Sequence, residues 1–516
     1  MLLTMTGGFS ALPGRVAALR GWRADLAAVL AGALSALALP PIYGLPVLLI
    51  GIPVLLCLIQ GARGPAVAAR RGWWFGFGLH VVSLYWITEA ILFEAARFWW
   101  LVPFAVPGLA AVLAVFIAVP AALARRARPG WPAALTLASA WVLADLAKQF
   151  VATGFPWNAL GSVWEFPGRL GDIMIQPAAL AGVHGMTLVT ILLAATPLLS
   201  WAWRAGGLAM LALWFGFGIV RLDQPMPPGP DLTVFLIQGN VAQGQKWDRS
   251  LMVSIFRHYL DLTRQAAALA NGHPAVIVWP ETAFPALLQT DTEARHAIAE
   301  AAGGATTLIG SVRFDEAGRP RNSLFALGAN GGVETIYDKW HLVPFGEYQP
   351  DWLPLGIQVV PGGGFARGPG PETLHIPGLP PVGALICYEA IFTGQIINES
   401  DRPDWMVNIT NDAWFGNSSG PRQHLAAVRL RAVEEGLPLM RAANTGISAG
   451  FDANGHELGR LEMQTSGVLP VRLPARLALP LYAKIGLLLP TGVAFVLLMT
   501  GMAGNWPKKR SQCAKF

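Results

Sequence analysis

Residues 382–392 read VGALICYEAIF, and Cys387 joins an apolar run to a helical one. The five apolar residues before Cys387 predict a buried strand, and the residues after it predict the start of a helix. A cysteine at such a turn is expected to have its sulfur exposed near the helix amides, which favour the thiolate. The stretch therefore predicts a nucleophile on an α/β fold.

Two further ionisable residues follow strand-like runs. Glu281 follows AVIVWP, and Lys339 follows ETIYD. Chemistry in α/β folds gathers at the C-terminal ends of strands, so we expect Glu281 and Lys339 to meet Cys387. A carboxylate can act as base toward the thiol, and an ammonium can stabilise a thiolate and the oxyanion of a tetrahedral intermediate. The three residues together would make an acyl-transfer site.

A structural role remains open for each of these residues alone. A cysteine is often a small buried hydrophobic side chain, Glu281 could start a turn after its proline, and Lys339 could be a solvated charge. However, Cys57 lies in a predicted membrane span and Cys513 in the C-terminal tail. Cys387 is thus left without an intramolecular partner, which favours a chemical role.

The histidines give little support to a metal site or a Cys–His protease. They occur singly in the polar part of the chain, as at His341, His424 and His456, and no HExxH spacing is present. We therefore expect neither a metal nor another cofactor.

Composition places much of the chain in lipid. Of the 516 residues, 53% are hydrophobic and 13% are charged, and the mean hydropathy is +0.46. Soluble domains carry roughly 25% charged residues. This deficit excludes a soluble enzyme, a disordered chain and a nucleic-acid-binding protein, despite the net charge of +6.

Eight segments are apolar and long enough to predict membrane helices, each of about 20 residues. They lie near 22–39, 46–62, 72–92, 100–123, 131–149, 174–201, 205–221 and 480–503. Between the last two, the chain has ordinary polarity. We predict a seven-span membrane domain at 1–222, a globular catalytic domain at 223–478, and an eighth span with a short cytoplasmic tail at 479–516.

Basic residues predict the orientation of the spans. Arginine and lysine cluster at 15–23, 63–71, 125–128, 204 and 508–515, all on one side if the N-terminus is cytoplasmic. The catalytic domain then lies outside the cytoplasm. A cleavable signal peptide ending at Ala36-Leu37-Ala38 remains an alternative for the first span and would not change this side. Glu89 and Asp145, near outer helix ends, are either functional acids or hydrated interfacial ones.

The globular part alternates strand runs with helical runs. The predicted strands are 232–238, 275–279, 307–312, 382–386 and 405–409, and the predicted helices are 250–270, 292–302 and 422–435. This alternation predicts an α/β domain.

Several motifs resemble a known superfamily. Residues 279–281 (WPE), 337–348 (YDKWHLVPFGEY) and 386–389 (ICYE) resemble the Glu, Lys and Cys motifs of the nitrilase superfamily, in the same chain order. Residues 411–416 (NDAWFG), 441–448 (RAANTGIS), 154–157 (GFPW) and 182–185 (GVHG) resemble, more narrowly, the bacterial apolipoprotein N-acyltransferase family. The resemblance covers about 22–503.

The resemblance implies an αββα sandwich and a ping-pong reaction in the bacterial inner membrane, with the catalytic domain on the periplasmic side. A phospholipid is the implied acyl donor, a cysteine thioester the intermediate, and the α-amino group of a diacylglyceryl apolipoprotein the acceptor. By position, Cys387 is the nucleophile, Glu281 the base and Lys339 the oxyanion stabiliser. Glu347 positions Lys339 or assists. Tyr388 and Glu389 are candidates for shaping the oxyanion hole and receiving the amine.

Aromatic residues suggest an entrance for acyl chains. Residues 340–370 contain Phe345, Tyr348 and Trp352, followed by glycines 362–364, and we interpret this segment as a hinged arm that dips toward lipid. Trp247 and Trp414 are predicted to line the same entrance. An irregular loop packed on the domain is the alternative.

Three other functions remain open. A membrane-tethered amidase or nitrile hydrolase would use the same three residues and give the acyl group to water. A catalytically silent scaffold would bind lipoproteins without chemistry. A transporter has the least support, because the spans show no obvious internal repeat and few buried charges.

Overall fold

A computed structural model describes residues 6–92, 98–246, 248–350 and 364–503. Its N-terminal part is helical. The helices are α1 (Thr6–Ala18), α2 (Trp22–Ala36), α3 (Leu48–Gln60), α4 (Pro65–Ser83), α5 (Ile87–Leu92), α6 (Val102–Leu113), α7 (Val115–Ala124), α8 (Trp131–Lys148), α9 (Arg169–Ile175), α10 (Ala178–Ala195) and α11 (Trp201–Leu222). At the other end of the chain, α15 (Leu481–Ile485) and α16 (Leu488–Ala503) follow the globular part.

The predicted count of eight spans is not confirmed. Within the described ranges, three helical segments are long and apolar enough to cross a membrane: Trp99–Arg126, Ala178–Leu198 and Trp201–Leu222. Leu45–Gln60 and Leu488–Ala503 are apolar but shorter. The other predicted segments are also helical, but each is too short, interrupted or too polar to meet the same criteria. For example, α8 contains a buried Asp145–Lys148 ion pair.

Helix α10 is broken at Gly182, where the backbone has φ +63°. The free amide of Val183 donates to Glu434 Oε1 across 2.7 Å, so a carboxylate of the globular part caps the second half of this helix. A Cβ at Gly182 would lie 2.4 Å from the Tyr482 ring. Tyr482 in turn bonds Thr393 through its hydroxyl, at 2.6 Å. The glycine thus permits both the break and the close approach.

The globular part contains two six-stranded sheets among the described residues. The first has the order β12-β1-β2-β3-β4-β5, and the second has the order β11-β10-β9-β8-β7-β6. The strands are β1 (Thr233–Gln238), β2 (Ala275–Val278), β3 (Thr306–Phe314), β4 (Pro320–Leu327), β5 (Val333–Asp338), β6 (Thr373–Leu374), β7 (Val382–Ile386), β8 (Trp405–Thr410), β9 (Leu439–Ala443), β10 (Ser448–Phe451), β11 (Glu457–Leu461) and β12 (Gly467–Arg472).

The sheets pack face to face between two helical layers. Alternate residues of β1 and β7, such as Val234 and Ala384, share one core between the sheets. The intervening residue Phe235 packs outward against α12 (Met252–Ala270) and α13 (Thr292–Ala301). Leu385 does the same against α14 (Ser419–Glu435). The predicted αββα sandwich of the nitrilase type is therefore confirmed.

Strand direction brings three strand ends together. Strand β2 pairs parallel with β3, while β4 is antiparallel to both β3 and β5, so β5 runs in the same direction as β2. Strands β7 and β8 are parallel in the second sheet. The amide of Asn411, just after β8, donates to Glu281 just after β2. The C-terminal ends of β2, β5, β7 and β8 therefore lie at a common edge of the two sheets.

Helix α14 joins the globular part to the helical part through Gln423. The Gln423 amide oxygen accepts from the indole nitrogens of Trp86 at 3.1 Å and Trp157 at 2.9 Å. Its amide nitrogen lies 3.2 Å from the carbonyl oxygens of both Pro40 and Ser83. One buried side chain thus ties α14 to three separate segments. The predicted domain divisions at 222 and 478 stay a prediction.

Candidate active site

Cys387 follows β7 directly and begins a short 3-10 helix, Cys387–Ile391. Its φ of +53° is unusual for a residue with a side chain and indicates a sharply turned backbone. The expected exposure of the thiol is wrong, because Cys387 is 7% accessible and packs in the core between the two sheets. Burial, followed by the Glu281 charge, raises the pKa of Cys387 despite the opposing effect of Lys339. A raised pKa favours the protonated thiol over the expected thiolate.

Glu281 is a buried carboxylate with donors on both oxygens. Oε1 accepts from Asn322 Nδ2 at 2.7 Å and from Lys339 Nζ at 3.2 Å, and Oε2 accepts from the Asn411 amide at 2.8 Å. Burial acts to raise its pKa, but Lys339 and Lys246 outweigh burial and lower it. Glu281 is therefore ionised and able to take a proton.

Lys339 lies between two carboxylates. Its Nζ is 3.2 Å from Glu281 Oε1 and 2.9 Å from Glu347 Oε2, and the residue is 1% exposed. Burial acts to lower the pKa of Lys339, but Glu281 and Glu347 raise it well above its usual value. Glu347 is itself fixed by the Val343 amide at 2.8 Å. The predicted contact between Glu347 and Lys339 is present.

Glu389 lies behind the nucleophile turn. Its Oε1 accepts from the amides of Trp340 at 2.7 Å and His341 at 3.2 Å. Its Oε2 accepts from the Ile386 amide at 2.6 Å and the Tyr337 hydroxyl at 2.9 Å. Burial raises the pKa of Glu389 to about 7. These contacts connect the end of β5 with the end of β7, and they give no support to an amine-receiving role.

Tyr388 connects the same turn to the helical part. Its hydroxyl donates to the Gly154 carbonyl at 2.8 Å. Its ring packs against Phe392 and Phe155, with centroid distances of 5.2 and 6.4 Å. The side chain of Tyr388 thus anchors the turn, while its backbone amide adjoins the nucleophile.

The predicted entrance is described only in part. Trp247 and residues 351–363, which include Trp352, lie outside the described residues. Trp414 is half-buried in the 3-10 helix Asp412–Phe415. The Phe345 amide donates a hydrogen bond to the Tyr348 carbonyl at 2.7 Å. The arm and its part in acyl-chain entry stay predictions.

The structure adds a second lysine to the site. Lys246 Nζ donates to the Glu281 carbonyl at 3.1 Å and to the Thr282 hydroxyl. Burial lowers its pKa to about 8, although Glu281 and Cys387 act to raise it. Thr282 has φ +45°, so Lys246 stabilises a turned backbone directly after the candidate base. No sequence motif indicated Lys246, because its partners Glu281 and Thr282 are close to it only in the folded chain.

Asp412 and His424 also lie near the nucleophile. Among the described residues, ligand-type atoms of Cys387, Asp412 and His424 all lie within 4.8 Å of one another. However, His424 Nδ1 is 3.0 Å from Asp412, and His424 Nε2 is 3.0 Å from the Cys387 carbonyl. Because both ring nitrogens already have protein partners, we interpret the group as a hydrogen-bonded cluster rather than a metal site. The absence of a metal requirement stays a prediction.

Two family models match the chain. The model for the apolipoprotein N-acyltransferase N-terminal domain matches residues 31–196. The carbon-nitrogen hydrolase model matches residues 237–478. Among solved structures, a mutant amidase from Nesterenkonia sp. AN1 with acrylamide added at its active-site cysteine is similar at 18% identity and a TM-score of 0.36, over 47% of this chain and 93% of that one.

Curated relatives align over nearly the whole length. The apolipoprotein N-acyltransferase of Rhodopseudomonas palustris is 39% identical, over 96% of this chain and 98% of its own. The apolipoprotein N-acyltransferase of Bradyrhizobium diazoefficiens is 40% identical, over 90% of this chain and 92% of its own. At this identity and coverage, the chain belongs to the apolipoprotein N-acyltransferase family.

Proposed function

We propose that this protein transfers a fatty acyl group from a membrane phospholipid to the α-amino group of the lipid-modified N-terminal cysteine of an apolipoprotein, through a thioester on Cys387. The observation that carries the proposal is the buried ion pair of Glu281 and Lys339, 3.2 Å apart, whose charges both act on the Cys387 thiol. Family membership supports the choice of substrates.

In the first half-reaction, the Cys387 sulfur attacks the ester carbonyl of the phospholipid, and Glu281 takes the thiol proton. Lys339 stabilises the oxyanion that forms on the carbonyl oxygen. The ester carbon–oxygen bond then breaks, and protonated Glu281 returns its proton to the departing lysophospholipid oxygen. The products are the Cys387 thioester and a lysophospholipid, and Glu281 and Lys339 again form the charged pair present at the start.

In the second half-reaction, the neutral α-amine of the apolipoprotein attacks the thioester carbonyl. Glu281 takes a proton from the attacking nitrogen as the amide bond forms, and Lys339 again stabilises the oxyanion. The carbon–sulfur bond breaks, and Glu281 returns the proton to the sulfur. The thiol is thereby regenerated.

The electrostatics of the site support this use of Glu281. The raised pKa of Cys387 leaves the thiol protonated, so a base must remove its proton during the attack. The lowered pKa of Glu281 keeps that base ionised.

The apolar helices support a reaction at the membrane surface. Both proposed substrates are anchored in lipid, and three described helices are long enough to cross it. We propose that the protein is a multi-pass protein of the bacterial cytoplasmic membrane, with its catalytic domain on the periplasmic side. No nucleic acid or cofactor takes part in the proposed reaction.

Hydrolysis is the second candidate, because the carbon-nitrogen hydrolase model matches residues 237–478. The two functions share the thioester and differ in its acceptor. Free fatty acid as the product would indicate a hydrolase, and an amide-linked lipoprotein would indicate a transferase.

The thioester is tested by intact mass spectrometry of the purified protein after incubation with phospholipid. We expect a fatty-acyl adduct that hydroxylamine removes. Cys387→Ala should lack the adduct, and the matched variant Cys57→Ala should retain it. An adduct that survives in Cys387→Ala would overturn the proposed nucleophile.

A further inference from the structure

The backbone carbonyl of Cys387 is held by a side chain from α14. His424 Nε2 lies 3.0 Å from this oxygen, and His424 is 1% exposed. A carbonyl can only accept a hydrogen bond, so Nε2 carries a proton and donates it here. The contact therefore restrains the main chain of the nucleophile and does not involve its sulfur.

The imidazole is itself fixed from behind. His424 Nδ1 lies 3.0 Å from Asp412 Oδ1 and accepts from Arg441 Nη2 at 3.3 Å, and the same Nη2 donates to Asp412 Oδ2 at 2.6 Å. Arg441 also donates to Asn408 Oδ1 at 2.5 Å. Although burial acts to raise the pKa of Asp412, Arg441 and His424 lower it to about 2. The carboxylate is thus ionised at neutral pH and, together with Arg441, orients the ring.

Restraint of this carbonyl has a consequence for the next amide. The Cys387 carbonyl and the Tyr388 N–H belong to one planar trans peptide unit and point in opposite directions. Fixing the oxygen therefore fixes the N–H. The amide directly after a nucleophile at a strand-to-helix turn is a common oxyanion donor. The turned backbone of Cys387, with φ +53°, makes such restraint necessary.

We propose that His424, oriented by Asp412 and Arg441, is a positioning residue that holds the Cys387 backbone and the Tyr388 amide in the geometry needed for acyl transfer. The inference rests on the proposed function of Cys387 as nucleophile. It excludes a role for His424 as the base, since its Nε2 proton is directed to a carbonyl and its Nδ1 faces Asp412.

Two substitutions with side chains of similar length distinguish the loss of the hydrogen-bond donor from a change in packing. His424→Gln keeps an N–H that can reach the Cys387 carbonyl, whereas His424→Met has none. We expect His424→Met to slow single-turnover thioester formation by about 10–100-fold, the size of effect that a small misplacement of a reacting group produces. His424→Gln should recover most of the rate. The rate is followed by intact mass after mixing with phospholipid vesicles.

The pH profile of Cys387 alkylation by iodoacetamide separates positioning from proton transfer. We expect the profile to keep its shape in both variants, because Glu281 is the proposed base. A profile that changes in both variants would assign His424 to proton transfer and overturn the inference. A wild-type acylation rate in His424→Met would overturn it as well, as would equally slow acylation in folded His424→Gln and His424→Met.

His456→Leu is the matched control. His456 also pairs with a carboxylate, at 2.9 Å from Asp172, but its side chain is 58% exposed. This variant should acylate at the wild-type rate. If the thermal midpoint in detergent shows that His424→Met does not fold, His424→Asn replaces it. The same slow acylation is expected, because the asparagine side chain is one bond shorter than that of glutamine. An adduct in Cys387→Ala would overturn the proposed function itself, which keeps the two failures distinct.

Discussion

At the scale of single residues, the surroundings shift the pKa values of Cys387 and Glu281 in opposite directions. Burial and the Glu281 charge raise the pKa of Cys387, while Lys339 and Lys246 lower the pKa of Glu281. The two shifts favour a proton on the sulfur and an ionised carboxylate. In the proposed reaction, this arrangement keeps the thiol unreactive until a substrate carbonyl is in place.

The raised thiol pKa predicts a steep pH dependence of alkylation. Below the pKa of a thiol, the fraction present as thiolate rises about tenfold with each pH unit. We therefore expect the iodoacetamide reaction of Cys387 to accelerate by about tenfold per unit from pH 7 to 9, without a plateau. Peptide mapping separates Cys387 from Cys57 and Cys513. A plateau by pH 8 would contradict the protonated resting state.

Lys339→Ala should slow thioester formation strongly. The loss of one oxyanion donor typically costs about 2.7–4 kcal/mol, or a factor of about 10²–10³. Single-turnover acylation measured by mass gives this factor directly. Lys484→Ala, which changes a lysine of the short helix α15, is the control and should leave the rate unchanged. A twofold effect at Lys339 would contradict its assignment.

The sequence was sufficient to propose the three candidate reactive residues and the contact of Glu347 with Lys339, but not the supporting residues His424 and Lys246. Glu281, Lys339 and Cys387 each follow an apolar strand run, and the sheets bring such ends together. His424 and Lys246 lacked any local signal, since the first lies within a helix and the second within a loop. Their function depends on carbonyls that belong to distant parts of the chain.

At the scale of elements, α14 joins the two halves of the molecule. We expect Gln423→Leu to destabilise the protein by about 2 kcal/mol or more, because it leaves the buried indole N–H groups of Trp86 and Trp157 without their acceptor. The measurement is the thermal midpoint in detergent. Gln224→Leu, at an exposed position, serves as the control. Equal midpoints for the two variants would contradict the role of Gln423.

The bounds of the elements were predictable where local patterns decide them. Strand β7 was predicted at its observed ends, because an apolar run stops at a charged turn. Helix α14 begins at Ser419 instead of 422, because the Ser418 hydroxyl caps it through the Gly420 amide at 3.1 Å. The break at Gly182 was missed because hydropathy does not register a carboxylate supplied by another element.

At the scale of the whole molecule, the basic loops predict the side of the catalytic domain. Alkaline phosphatase fused after residue 229 should be active, because that enzyme requires the periplasm, and a fluorescent protein fused after residue 516 should fluoresce in the cytoplasm. Fusions after residue 64, in a predicted cytoplasmic loop, give the reciprocal control. An inactive phosphatase at 229 would contradict the proposed orientation.

The close contact between Gly182 and Tyr482 also has a consequence for biogenesis. Helix α10 is synthesised before the globular part, whereas Tyr482 and α16, which packs on α8 through Ala494, are synthesised after it. The junction around Glu434 and Thr393 is thus completed only after Tyr482 has left the ribosome. A nascent chain stalled before Tyr482 would carry Cys387 but lack this junction between the two parts of the molecule.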